Sequence, residues 1–171
     1  NSRLRILLSP DLDREDYLDI LLRFYGLFEK FDRGLQHRRE WEVHGFAIEP
    51  RFKTPLLRQD LAFFGMTDPL TAMPAVFDPL PCEDFPSILG SLYVTEGSTL
   101  GGQVILRHLK QSLNLDSRTG AAYFTGYGEN TGQRWKEFCT LLTSYSNEPA
   151  DHKRTVNAAC HAFAAFQKVM T

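Results

Sequence analysis

Apolar residues in this chain recur at intervals of three and four, the period of a helix with one face in a core. The clearest run is Tyr17, Ile20, Leu21, Phe24, Leu27, Phe28 and Phe31. Asp13 precedes it as an N-cap, Asp16 stands three positions on in a weak capping-box arrangement, and the helix ends near Gly34. Upstream, residues 1–8 read as the tail of another helix, stopped at Ser9-Pro10. A third helix is capped by Thr54, takes Pro55 in its first turn, aligns Leu57, Leu61 and Phe64, and closes at Gly65. Residues 66–83 contain Pro69, Pro74, Pro79 and Pro81, which predict a connecting loop. Asp84 then caps a helix, with Pro86 in its first turn, that runs toward Leu113. After a break at Gly126-Tyr127-Gly128, a helix starts at Asn130 or Thr131 and carries Trp135, Phe138, Leu141 and Leu142. Past a last turn at Asn147-Glu148-Pro149, the residues Val156, Ala159, Cys160, Phe163, Phe166 and Met170 mark out an apolar face on the final helix. Residues 34–53 fit no period well; Trp41, Val43 and Phe46 alternate too weakly for a strand. The pattern as a whole predicts an all-α, single-domain protein without repeats.

The helix after Asp84 carries an anomaly. Gly97, Gly101 and Gly102 fall within six residues, and each interior glycine costs about 1 kcal/mol of helix stability relative to alanine. Spacing alone leaves two accounts open. The glycines permit close helix–helix packing, or they let something flat and bulky approach a bent backbone.

Composition narrows the function classes. With 171 residues and 43% hydrophobic content, the chain has enough apolar material for one core. No apolar run approaches the roughly 18 residues of a membrane span, so a soluble protein is expected. Acidic and basic residues interleave to a net charge of −2, without the basic stripe of a nucleic-acid surface. Cys82, Cys139 and Cys160 form no C-x-x-C pair, which predicts reduced, mostly buried thiols in a cytoplasmic protein. The first residue is Asn1 rather than Met and no signal-peptide pattern follows, so the chain is expected to lack a short N-terminal stretch of a longer product.

The wording of the glycine-rich run, from Leu92 through Glu96-Gly97-Ser98-Thr99-Leu100-Gly101-Gly102 to Ile105, resembles the distal helix of the heme oxygenases, particularly the bacterial branch often associated with phytochromes. Three further segments agree with that family in the same order along the chain. Phe124 to Trp135 resembles its Y-G-x-x-T-G-x-x-W segment, Arg51 to Leu61 its helix that opens on Arg and ends on Asp-Leu, and Ser9 to Leu12 with Tyr17 and Leu21 its opening. The glycine-rich run and the Tyr127–Trp135 segment are fairly specific; the other two are weak alone.

The resemblance implies a helical heme-oxygenase-like fold in which heme is both cofactor and substrate. With O2 and electrons from an external donor protein such as a ferredoxin or reductase, the ring opens to biliverdin, carbon monoxide and ferrous iron. No G-x-G-x-x-G nucleotide fingerprint is present. Gly97, Ser98, Gly101 and Gly102 match the distal positions, where glycine removes the Cβ that would collide with the ring. Ser98 stands where other branches carry an acidic residue that holds the distal water. Glu96 belongs to the bacterial pattern, with a solvated surface acid as an equal reading. Tyr93, Arg134 and Lys136 are candidates for the propionates by neighbourhood only.

One position departs from the family. Its proximal histidine is expected at Asn1, in Asn1-Ser2-Arg3-Leu4, and asparagine is no credible ligand for heme iron. Either the ligand is replaced or the histidine lies just upstream. His37 and His44 are expected at the surface, and His108 lies two turns past the glycines. His152 and His161 sit on the last helix, His161 at a core boundary, so no metal ligand is assigned. The competing reading is a non-catalytic heme-oxygenase-like domain that binds a tetrapyrrole or a partner protein. A di-iron or thiaminase-like site is weaker, since the E-x-x-H ligand pattern is missing.

Overall fold

A computed structural model describes residues 4–72, 78–145 and 148–170. The helices are α1 (Leu4–Leu7), α2 (Arg14–Leu35), α3 (Arg39–Val43), α4 (Thr54–Phe63), α5 (Pro69–Ala72), α6 (Phe85–Thr99), α7 (Gly102–Leu113), α8 (Ala122–Thr125), α9 (Thr131–Tyr145) and α10 (Pro149–Val169). Short 3₁₀ turns occupy Glu49–Arg51 and Gly128–Asn130, and no strand occurs among the described residues. Asn1, the position that departs from the family pattern, lies outside them.

α2 forms as its sequence dictates. Asp13 Oδ1 accepts the Asp16 N–H at 2.8 Å, and the stripe from Tyr17 to Leu35 is buried. Its rings meet those of α8 and α10 in the core: Phe24 lies 5.0 Å from Tyr123 and 5.8 Å from Phe166, centroid to centroid. α6 runs through the middle of the molecule, and every residue from Phe85 to Leu92 is buried. Such a helix must be apolar on all sides, which explains why it shows so little facing preference in sequence.

The packing of α6 against α10 keeps Phe166 of the expected face buried and Ala159 and Met170 against the core, but turns Val156, Cys160 and Phe163 outward. The buried positions are Thr155, Ala158, Ala162, Ala165, Phe166 and Val169, while Val156 and Phe163 remain 60% and 52% exposed. The reason lies at Gly90, where an added Cβ would stand 2.2 Å from the Thr155 carbonyl oxygen. Backbones this close admit only small side chains beside Gly90, so Thr155 and Ala158 turn inward there, while Phe166 and Val169 are buried farther along the helix. His161 is accordingly exposed rather than at a core boundary. The cysteines also differ from expectation. All three are unpaired, but Cys160 is exposed and Cys82 and Cys139 are half-buried.

Two other expectations are refined. Residues 34–53 hold α3 and a 3₁₀ turn, pinned by Trp41, whose indole N–H donates to the Leu35 carbonyl at 2.7 Å. The proline-rich 66–83 stretch contains the single turn α5. Thr54 does not cap α4; it is the first helical residue. The free amides of Lys53 and Thr54 instead donate to Asp32 Oδ2 at 2.8 and 2.7 Å, so the cap comes from α2. Asp60 does the same for α8, accepting Ala122 N–H at 2.7 Å and Tyr123 N–H at 2.8 Å.

This packing can be tested at two positions. Gly90→Ala should lower unfolding free energy by about 1–3 kcal/mol through overpacking, read from urea denaturation. Burial pushes the Asp60 carboxyl up from 3.8 to about 6 despite its two amide donors. The folded state then holds a proton that the unfolded state releases, so Asp60 makes stability fall as pH rises from 3.8 to about 6. Melting temperatures measured across that window should show this downward component in the native chain and lose it in Asp60→Asn.

Candidate functional site

The helix expected to run unbroken from Asp84 toward Leu113 is interrupted at Leu100 and Gly101. Both keep right-handed backbone angles, φ −62° and ψ −29° for Leu100, φ −86° and ψ −12° for Gly101. The hydrogen bonds there tighten to the i to i+3 kind, from Leu100 N–H to Gly97 O at 3.2 Å and from Gly101 N–H to Ser98 O at 3.1 Å. Three hydroxyls prepare the bend. Thr95 donates to Leu92 O at 3.3 Å, Ser98 to Thr95 O at 2.7 Å and Thr99 to Glu96 O at 2.6 Å. Side chains that bond back to their own helix in this way bend it.

The outer side of the bend is open and apolar. Tyr93, Gly97, Leu100, Gly101 and Val104 follow one another at helical spacing, with Tyr93, Leu100 and Val104 exposed by 41%, 49% and 56%. Trp135 of α9 flanks this face, its ring 5.6 Å from that of Tyr93. At the far end His108 meets the Ser9 carbonyl through Nε2 at 2.9 Å, holding the N-terminal segment to α7. Ser98 is exposed beside the face.

Geometry separates the three glycines. A Cβ on Gly102 would stand 2.6 Å from the Phe124 carbonyl oxygen, so close packing onto α8 accounts for that residue. A Cβ on Gly101 would meet only Ser98 O at 3.6 Å, and one on Gly97 only the edge of Trp135 at 3.6 Å, both ordinary contacts. Internal packing therefore requires glycine at 102 but not at 97 or 101.

Directly behind the bend is a charged cluster that periodicity does not anticipate. Glu96, read equally as a surface acid, is 1% exposed. Its carboxylate accepts from Arg51 Nη1, from Lys53 Nζ at 2.8 Å and from the Tyr127 hydroxyl at 2.7 Å. Lys53 Nζ also donates to the Tyr127 oxygen at 2.7 Å. Burial and the adjacent Glu96 carboxylate push the Tyr127 phenol well above its ordinary range, so it stays protonated and donates. Arg51 extends the cluster to Glu137 at 3.0 Å, and Arg134 joins the same carboxylate oxygen at 3.2 Å. The sequence does carry one signal for this cluster. Glu96 is the sole charge between Phe85 and Thr99 in a mostly apolar helix, and a lone charge there demands partners. The partners themselves lie in the 34–53 segment and between two glycines, where no periodicity points to them.

The candidate rim residues fall in different surroundings. Tyr93 lies on the open face, while Arg134 is committed to Glu137 and lines a separate cavity of about 400 Å³ with His44, Phe46 and Arg51. Lys136 is exposed on α9.

Comparison with known proteins places this architecture. The family model described as heme oxygenase matches residues 2–171. A heme oxygenase of Xanthomonas campestris pv. campestris (strain 8004) is 31% identical over 160 residues, covering 91% of this chain and 88% of that protein. The NO- and CO-bound heme oxygenase from Neisseria meningitidis superposes with a TM-score of 0.77 at 26% identity, over 99% of this chain and 81% of that one. The heme oxygenase from Leptospira interrogans gives a TM-score of 0.82 at 18% identity, over 99% and 88% of the two chains, a likeness of fold.

The cluster behind the bend makes its own demand on stability. Arg51→Met would leave Glu96 buried with half its charge compensation gone and Glu137 without its inner partner. A loss of about 3–5 kcal/mol in urea denaturation is expected.

Proposed function

The chain belongs to the heme oxygenase family, and on that premise we propose that it binds heme on the open face of the α6–α7 bend and degrades it oxidatively. The observation that carries the placement is the pair of glycines, Gly97 and Gly101, that internal packing does not require. They sit among Tyr93, Leu100 and Val104, which present apolar surface to solvent on one side of the helix. Missing Cβ atoms on an apolar face fit a planar macrocycle that must come within contact distance of the backbone.

Bound heme supplies the iron and the O2 chemistry, and is itself the substrate, leaving as biliverdin, carbon monoxide and ferrous iron. The protein's part is placement and proton supply. Gly97 and Gly101 would admit the ring close to the backbone, and Leu100 and Val104 would exclude water from it. The Ser98 hydroxyl, donating to Thr95 O, keeps lone pairs free to accept a hydrogen bond from a proton-carrying water. Tyr93 and Lys136 offer phenolic and cationic groups to the propionates; Arg134 does so only by exchanging Glu137. Gly102 serves the site indirectly, by seating α7 on α8. Electrons come from a separate donor such as a ferredoxin or reductase. No helix among the described residues is long and apolar enough to cross a membrane, and a cytoplasmic location completes the proposal.

A second reading, tetrapyrrole binding without turnover, follows from Asn1 at the position where the family's proximal histidine is expected. One experiment tests both. Hemin is titrated into the protein while the Soret band is followed, and ascorbate is then added under air. Soret growth followed by its decay to a biliverdin spectrum supports the enzyme, a stable band supports the second reading, and no binding overturns both. A Cβ at the exposed Gly101 makes only ordinary contact, so Gly101→Leu should fold while weakening hemin binding by about tenfold or more. Unchanged affinity would remove heme from this face.

A further inference from the structure

We propose that Glu96 is a positioning residue for the heme face: the cage of Arg51, Lys53 and Tyr127 fixes the rotation of α6, and with it the outward aim of Gly97. The inference rests on the heme reading above and assigns a task to buried charges that reading leaves idle. From Phe85 to Leu92 α6 is buried on every side, so hydrophobic burial of that half alone sets its rotation poorly. A slip of one residue turns a helix by about 100° and would carry Ser98 or Glu96 to the place of Gly97.

A directional restraint is therefore needed close to the bend, and Glu96 is the residue immediately before Gly97. Its two carboxylate oxygens take bonds from donors on two separate segments, the 49–53 turn and the stretch that precedes α9. Lys53 is held in turn, since its backbone amide is bonded to Asp32 of α2. The Glu96 carbonyl accepts the Thr99 hydroxyl inside the bend, so side chain and backbone of one residue join the cage to the turn. Apolar side chains replacing the whole cluster together would stabilise about as well but would leave the rotation unspecified. At the other end of α6 the Gly90 contact with α10 sets how closely the two helices approach, whereas the bonds to Glu96 are directional.

The test uses Glu96→Gln, which keeps the shape and removes the charge, and Tyr127→Phe, which deletes one donor from a half-buried position and preserves the fold. Amide hydrogen exchange is read on the heme-free protein, so a failure of heme binding leaves this result standing. Exchange at residues 97–101 should accelerate about tenfold in Glu96→Gln and less in Tyr127→Phe, with the α2 amides unchanged. In the ferrous carbonyl complex, removing a negative charge beside the bend should lower the C–O stretching frequency, a change that loss of stability alone does not produce. Equal acceleration across α2, α6 and α10, or no change at residues 97–101 in either variant, would overturn the proposal. So would an unmoved carbonyl stretch in a Glu96→Gln protein that binds heme.

Discussion

Burying the Glu96 carboxylate is the constraint around which the rest of this molecule is arranged. An ionised carboxylate removed from water costs several kcal/mol, and the charge is tolerable only when cations and hydroxyl donors surround it. Arg51, Lys53 and Tyr127 supply those groups, and they come from segments that have little regular structure of their own. The irregular 49–53 turn and the approach to α9 are thus ordered by charge rather than by periodic apolar packing. The same cluster binds α9 through Glu137 and Arg134, which brings Trp135 alongside the open face.

Carboxylates recur as joints between helices in this fold. Asp32 caps α4 from α2, Asp60 caps α8 from α4, and Glu96 links α6 to the turn before α4. Each satisfies backbone or side-chain donors that would otherwise be buried without partners. Hydrophobic burial brings the helices together, and these joints satisfy their ends and tie one to the next. The open apolar face of the α6–α7 bend, where we propose heme binds, is a product of both. Its apolar residues stay outside because α6 is held in one rotation, and its bend forms because three hydroxyls and Gly101 loosen the helical ladder at that point.

Much of this architecture is legible in the order of residues. α2 is readable from Asp13 and a seven-residue stripe, α6 from Asp84 and Pro86, and the end of α4 from Gly65, because each signal is local. The glycine-rich run, through its resemblance to the heme oxygenases, points to the family that the comparisons show. The inward face of α10 is partly misleading in sequence, because size and hydrophobicity favour Val156 and Phe163 whereas the backbone approach at Gly90 turns Thr155 and Ala158 inward instead. The cap of α4 points wrongly to Thr54 because no local pattern reveals a carboxylate arriving from residue 32.

The sequence by itself determined the long helices α2, α4, α9 and α10 and the family, since propensity, capping and motif spacing all act over a few residues. Tertiary structure alone decided which glycine serves packing and which leaves space, which acid is buried, and which face of α10 turns inward. Those outcomes depend on distances between segments far apart in the chain. They are settled by which atoms must share a volume and which charges must find a partner once water is excluded.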